Sequence, residues 1–367
     1  MSTIGNTANP STNTIYYDSL LSTTLMAYRD TLVDNIFKDS AYLSFLRMSD
    51  AVKMQNGGER IAMPLMYGDN QTVKSYSGEE VLDTTIQDGM TTAFYEWKEI
   101  GGTISITRKE ERQNSGEGRL INLLESKVKQ AEMSMRETLN QQLVQGTVSG
   151  ATFVPGNDAK DLYPLGYFMR KANATNPTTG GNVGNISSSS EAWWRSKTAV
   201  LDSASVDTGN AFAMAVTTYA GMKAALRRMY NHCSRGSGGS PDLVLFDQVT
   251  FETYENALDT SVRYQNTKMA DMGFDTIKLR GATCIWDELV PDIDNGTIAI
   301  TAGTAFFINT KFYNLVIDSE TDIVTTPFVE PENQTVKTAK ILFMGNAAVS
   351  NLRKLGVVYA TSQTIAS

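Results

Sequence analysis

Between Glu117 and Gln145 the apolar residues Leu120, Leu124, Val128, Ala131, Met135, Leu139 and Leu143 recur in steps of 4, 4, 3, 4, 4 and 4. Such steps stack side chains on one face of an α-helix. Gly146 stands where a glycine commonly ends a helix. A helix over these residues would be roughly 43 Å long. Helices in compact domains average about 11–12 residues, so the fold must contain an elongated support. A coiled coil needs sustained 3-4 alternation, which these steps lack. One long helix backing a sheet is the expected arrangement.

A second extended feature precedes it. Asn56-Gly57-Gly58 signals a turn. Glu59 to Tyr67 reads as a strand, and Pro64 assigns it to an edge. Residues 68–88 are polar and acidic, and a β-rich stretch returns from Met90 to Arg108. There Thr91, Ala93, Tyr95 and Trp97 share one face, and Phe94, Glu96 and Lys98 the other. Gly101-Gly102 interrupts the stretch and is the candidate hinge at the base of a two-stranded arm. An isolated ribbon is marginal in water, so the arm needs a partner surface. Its aromatic residues Tyr67, Tyr76, Phe94, Tyr95 and Trp97, with Phe328 from a later excursion, are the candidate inter-subunit contacts.

The remaining chain reads as mixed α+β. Residues 1–17 are an uncharged Ser/Thr/Asn-rich arm, and Leu21, Leu25, Tyr28, Leu32 and Ile36 then mark a helix with Asp18 as N-cap. Asp39-Ser40 breaks it before a short second helix with Leu43 and Leu46. Residues 147–210 have little pattern. An amphipathic helix over 217–230 presents Tyr219, Met222, Leu226 and Met229, followed by a loop, NHCSRGSGGSPD. Leu243-Val244-Leu245-Phe246 is a buried strand, with Asp247 capping the next helix. Further strands are expected at 276–286, 297–301, 305–317 and 338–346, with a last apolar stretch at 353–360 and an acidic, proline-bearing excursion at 318–337.

Chemistry is hard to find in these residues. The single histidine, His232, falls in a loop, and Cys233 beside it lacks an orienting third group. A zinc site wants three or four Cys/His ligands, and the chain has one His and two Cys in all. No phosphate-binding glycine loop, GxSxG elbow or EF-hand is present. No catalytic, cofactor-binding or metal-ligating residue is therefore assigned, and the chain reads as a non-enzyme. The residues leave a Cys233–Cys284 disulfide open, but two free thiols fit better. The opening residues lack a positive n-region and an apolar core, so no signal peptide is expected. No apolar run approaches the length of a membrane span. A net charge of −8 without a basic run argues against tight nucleic-acid binding.

The order of elements, from N-terminal arm and helix through β arm and very long helix to α+β remainder, resembles the major capsid proteins of tailed phages, the HK97-like fold. Gly184-Asn185-Ile186-Ser187, followed by Ser190-Glu191-Ala192-Trp193-Trp194-Arg195, is similar to a segment of one branch of that family. LMAYRDTLVDNIFKDSAYLSFL is similar to its N-terminal helix. The resemblance implies an N-terminal arm and helix at 1–56, an extended E-loop hairpin at 57–108 and a spine helix with part of the P domain at 109–150. A mainly A-domain segment would follow at 151–300, then P-domain strands and loop with a C-terminal return at 301–367. It also implies self-assembly into hexamers and pentamers of an icosahedral virion head, built in the host cytoplasm. Partners would be a portal protein, a separate scaffolding protein, decoration proteins and, by weak non-specific contact, packaged DNA. No crosslinking Lys–Asn pair can be assigned. An encapsulin-like compartment is the rival within the same fold, and a carboxylate-dependent hydrolase the rival outside it.

Overall fold

In the computed structural model the described residues are 40–113, 123–149, 152–154, 160–169, 182–187, 190–201, 212–258, 277–290, 293–294, 297–298, 303–331 and 336–359. The expected N-terminal arm and the helix bearing Leu21 to Ile36 lie outside them, as do residues 117–122 of the long helix.

The first described elements are α1 (Ala41–Met48), β1 (Val52–Gln55), β2 (Ile61–Met66), β3 (Met90–Tyr95), β4 (Lys98–Thr107), α2 (Arg108–Gln113) and α3 (Leu123–Val144). There follow β5 (Lys197–Val200), β6 (Phe212–Ala213), α4 (Tyr219–Ser234), β7 (Leu243–Phe246), α5 (Gln248–Ala257), β8 (Ile277–Leu279) and β9 (Ala282–Trp286). The last are β10 (Thr304–Ile308), β11 (Tyr313–Asp318), β12 (Val324–Thr325), β13 (Val336–Val349) and β14 (Gly356–Tyr359). The fold is α+β. The chain divides into two compact units, whose described parts are residues 101–137 with 323–342, and the remainder.

The larger unit is built on a seven-stranded mixed sheet in the order β6-β5-β14-β10-β7-β9-β8. Strand β7 is the apolar run Leu243–Phe246, parallel to β9 and antiparallel to β10. All residues of β7, β10 and β14 are buried, as strands covered on both faces require. Helix α4 turns Met222, Ala225, Leu226, Met229, Tyr230 and Cys233 into this core, at the three- and four-residue spacing of one helix face. It runs on to Ser234, so His232 and Cys233 lie in its last turn and not in a loop. Asp247 caps α5 as expected. Its carboxylate accepts the Thr250 N–H (3.2 Å) and also the Thr304 N–H at the start of β10 (2.9 Å). Burial pushes the Asp247 carboxyl above the ordinary aspartate range. In the same unit β1 lies parallel to β11, and β11 is antiparallel to residues 345–349 of β13. Ser40 breaks the chain and caps α1, accepting the Leu43 N–H at 3.2 Å.

The smaller unit holds the C-terminal part of β4, helix α2, the first part of α3 and an antiparallel return. In the return β12 pairs with Ile341 and Leu342, and Val329 bridges Thr338. The expected excursion is thus folded back on β13 over its described residues. Ile104, Ile106, Met135, Ala339 and Ile341 are buried here. Lys127 Nζ ties α3 to its neighbours, donating to the Ser105 carbonyl (3.1 Å) and to Glu110 (3.2 Å). On α3 the expected stripe is buried at Met135, Leu139 and Leu143 and half-buried at Val128 and Ala131.

Gly101 and Gly102 do not interrupt the strand. They lie inside β4, and the chain breaks instead at Glu96-Trp97, between β3 and β4. A Cβ on Gly102 would meet Ile341 Cγ2 at 3.0 Å, so the missing side chain lets the two strands approach. The sequence read the pair as a break because glycine is a common breaker, but here it serves close packing.

Candidate assembly surface

The arm is a two-stranded antiparallel ribbon. Ile61 stands opposite Tyr95 and Met66 opposite Met90, and the Tyr67 N–H closes the end on the Gly89 carbonyl (2.9 Å). Side chains alternate across it. Ile61, Leu65, Ala93 and Tyr95 are buried on one face. Met66, Met90 and Phe94 are exposed on the other. Beyond the ribbon, residues 68–89 form no strand or helix, and local turns shape them, one of them closed by the Glu80 N–H on the Ser77 carbonyl (2.8 Å). Asn70 Oδ1 accepts from the N–H (2.9 Å) and hydroxyl (2.6 Å) of Thr72, and Asp83 Oδ1 accepts likewise from Thr85 (3.0 and 2.5 Å). This tip is less polar in effect than its composition suggests. Val73, Tyr76, Val81, Leu82 and Ile86 are all exposed, Ile86 to 95% and Val81 to 87%. Each leaves apolar area open to water that no described residue covers. Five carboxylates at Asp69, Glu79, Glu80, Asp83 and Asp88 surround it against one cation, Lys74.

The root of the arm is held by a short hairpin in which Val183 pairs with Ile186. Its turn residues, Gly184 and Asn185, both have positive φ (59° and 64°), the conformation of a two-residue hairpin turn. The Phe94 N–H donates to the Gly184 carbonyl at 3.0 Å. A Cβ on Gly184 would lie 2.8 Å from Ala93 Cβ and 3.0 Å from the Tyr95 hydroxyl. Trp194 is buried and donates its indole N–H to the Val183 carbonyl (2.9 Å). Trp193 donates to Glu191 (2.6 Å) and stacks on Tyr67, with ring centroids 4.9 Å apart and an interplanar angle of 16°. Residues 184–187 and 190–194 therefore form a buttress against the arm's root.

The six candidate contact residues separate by burial. Tyr67, Tyr76 and Phe94 are exposed, while Trp97 and Phe328 are half-buried. Trp97 donates its indole N–H to the Gly58 carbonyl at 2.8 Å. Tyr95, by contrast, is 1% exposed within the subunit, and its hydroxyl donates to the Val349 carbonyl (2.7 Å). Its ring meets Tyr163 and Phe168 edge-on. The alternation that exposes Phe94 necessarily turns Tyr95 inward. Sequence reasoning missed Asn346. This fully buried side chain donates to the Glu96 carbonyl (2.7 Å) and accepts the Tyr163 N–H (3.1 Å), fixing the junction after β3. A lone Asn in an apolar strand carried no signal of that role.

Titratable groups are mostly structural. Cys233 and Cys284 are both free and buried. Burial pushes the Cys233 thiol up to about 12, and Cys284 also upward. His232 is held below the ordinary histidine range by burial and by the nearby charges of Arg235, Arg228 and Lys197. Lys337 donates to Glu111 at 2.8 Å and lowers its pKa. Among the described residues no group of three His, Cys, Asp or Glu side chains could hold a metal ion. No described helix is long and apolar enough to cross a membrane.

No protein-family model and no curated protein sequence matches the chain. Solved structures do. The chain is similar to a chain of the cyanophage A-1(L) capsid asymmetric unit, with a TM-score of 0.59 at 14% identity, covering 92% of this chain and 97% of that one. It is similar to a chain of the native GTA particle capsid, with a TM-score of 0.56 at 10% identity, covering 97% and 96%. The capsid of Myoviridae phage XM1 gives a TM-score of 0.55 at 10% identity, covering 91% and 96%. The chain has the HK97-like capsid fold. Coverage above nine-tenths in both directions means that the likeness extends over nearly the whole chain and not over one part of it.

Proposed function

We propose that this protein is the major capsid protein of a tailed double-stranded DNA phage, a structural subunit that assembles with copies of itself into the closed icosahedral head. The observation that carries the reading is the arm. Its tip and outer face expose Met66, Val73, Tyr76, Val81, Leu82, Ile86, Met90 and Phe94 to water, and covering an apolar side chain of this size stabilises by about 1.5–3 kcal/mol before ordering costs. A neighbouring copy is the natural cover, and a ring of such overlaps closes into pentamers and hexamers. The HK97-like fold supports the same reading.

On this reading residues 57–108 are the E-loop, α3 is the spine helix, the return at 318–337 belongs to the P domain, and residues 151–300 supply most of the A domain. The subunit is not an enzyme. It meets a portal protein, a separate scaffolding protein and decoration proteins in the virion, after assembly in the host cytoplasm. Packaged DNA touches it weakly, in keeping with a net charge of −8. Negative-stain microscopy of the expressed protein tests the proposal. Closed angular shells are expected; a persistent monomer under assembly conditions, with scaffold supplied, overturns it.

A further inference from the structure

We infer that Trp193 is a positioning residue that latches the arm's root and sets the direction in which the apolar tip is presented. The inference rests on the assembly reading for its purpose but on separate observations for its mechanism. The β2–β3 ribbon has two strands only, so its own hydrogen bonds fix its register but not its direction. Its inner face is anchored near the body by Tyr95 and by the Phe94–Gly184 hydrogen bond. Both hydrogen-bonded anchors lie on β3, and on β2 the inner-face residues Ile61 and Leu65 are held by apolar burial alone, which fixes no direction as a specific bond or stack does. Tyr67 is the first residue beyond β2, on the opposite strand and nearest the tip. Its only ring partner among the described residues is Trp193, in near-parallel stacking. That stack is a second anchor point off β3, which is what fixing a direction requires.

Trp193 is itself held firmly. Its indole N–H is bonded to Glu191, and its ring lies 5.6 Å from that of Trp194. Trp194 is buried and bonded to the Val183 carbonyl, and Glu191 donates its N–H to the Ser187 carbonyl (2.9 Å). The adjacent tryptophans therefore divide the work. Trp194 roots the buttress in the core, and half-buried Trp193 offers its face to the arm. An aromatic stack of this kind is a modest non-covalent contact. That is enough to bias a direction and small enough to yield when the arm is pulled elsewhere.

The test reads the arm's direction in unassembled subunits of the full-length protein. Spin labels at Ser77→Cys on the tip and Asn256→Cys on α5 report one distance within the chain, while buried Cys233 and Cys284 stay unlabelled under native conditions. A narrow distance distribution is expected for the parent protein. Trp193→Ala should lose it, with circular dichroism and melting temperature retained, and Trp193→Phe should restore it. Tyr67→Ala removes the same stack from the arm side and should act like Trp193→Ala. A narrow distribution surviving in both alanine variants overturns the latch. So does unfolding of both, because the stack would then be holding the subunit together and not orienting its arm. Shell formation is scored separately. A parent protein that forms no shells leaves the latch result standing, and a failed latch leaves the capsid reading untouched.

Discussion

Gly184 shows how much one residue decides. It has a left-handed backbone, and a Cβ would press on both Ala93 and Tyr95. Gly184→Ala should therefore cost about 1–3 kcal/mol in chemical denaturation, from backbone strain and displaced neighbours. A loss below a few tenths of a kcal/mol would mean that the buttress adapts freely. The two cysteines give an opposite forecast, of inertness. With both thiols buried and their pKa values raised, iodoacetamide at neutral pH should leave folded subunits unmodified and label both sites in urea, as read by mass spectrometry. Rapid labelling of either site in the folded protein would contradict the burial.

At the scale of elements the arm and the β4–β13 pair are the informative parts. Residues 68–88 make no strand pairing and little contact with the rest of the chain beyond the ribbon's end. Replacing them with a short Gly/Ser turn should leave circular dichroism and melting temperature nearly unchanged and abolish stable shells. Aggregation of the deleted subunit would show an intrachain role instead. The glycine pair can be tested asymmetrically. At Gly101 a Cβ meets Leu342 Cδ2 at an ordinary 3.5 Å, whereas at Gly102 it is crowded by Ile341. Gly101→Ala should thus be tolerated for stability, and any assembly defect it causes would support a flexing role. Gly102→Ala should lower the melting temperature through packing alone.

At the scale of the whole molecule charge and fold set different things. A net charge of −8, with a carboxylate-rich tip, means that copies repel one another at long range. Raising ionic strength should therefore accelerate shell formation, as followed by light scattering. Slower assembly in salt would point to complementary charged contacts dominating the encounter. The HK97-like fold accounts for a long helix and a water-exposed ribbon occurring in one chain.

Local patterns alone determined the elements: the stripe on α3, the buried run of β7, the Ser40 break, the Asp247 cap and the ribbon with its edge proline. Each is written in residues close in the chain, where spacing and backbone preference act directly. The HK97-like fold was legible too, through the order of elements and the Gly184–Arg195 resemblance. Tertiary structure alone decided which face of the ribbon, with Tyr95 on it, is buried within the subunit. It also showed Gly102 to be a packing contact inside a strand and joined Trp193 to Tyr67. These depend on residues brought together from distant positions, 126 apart for Tyr67 and Trp193. Propensity and periodicity describe a residue's own neighbourhood. Which surface will meet it from elsewhere in the chain is settled only when the core closes.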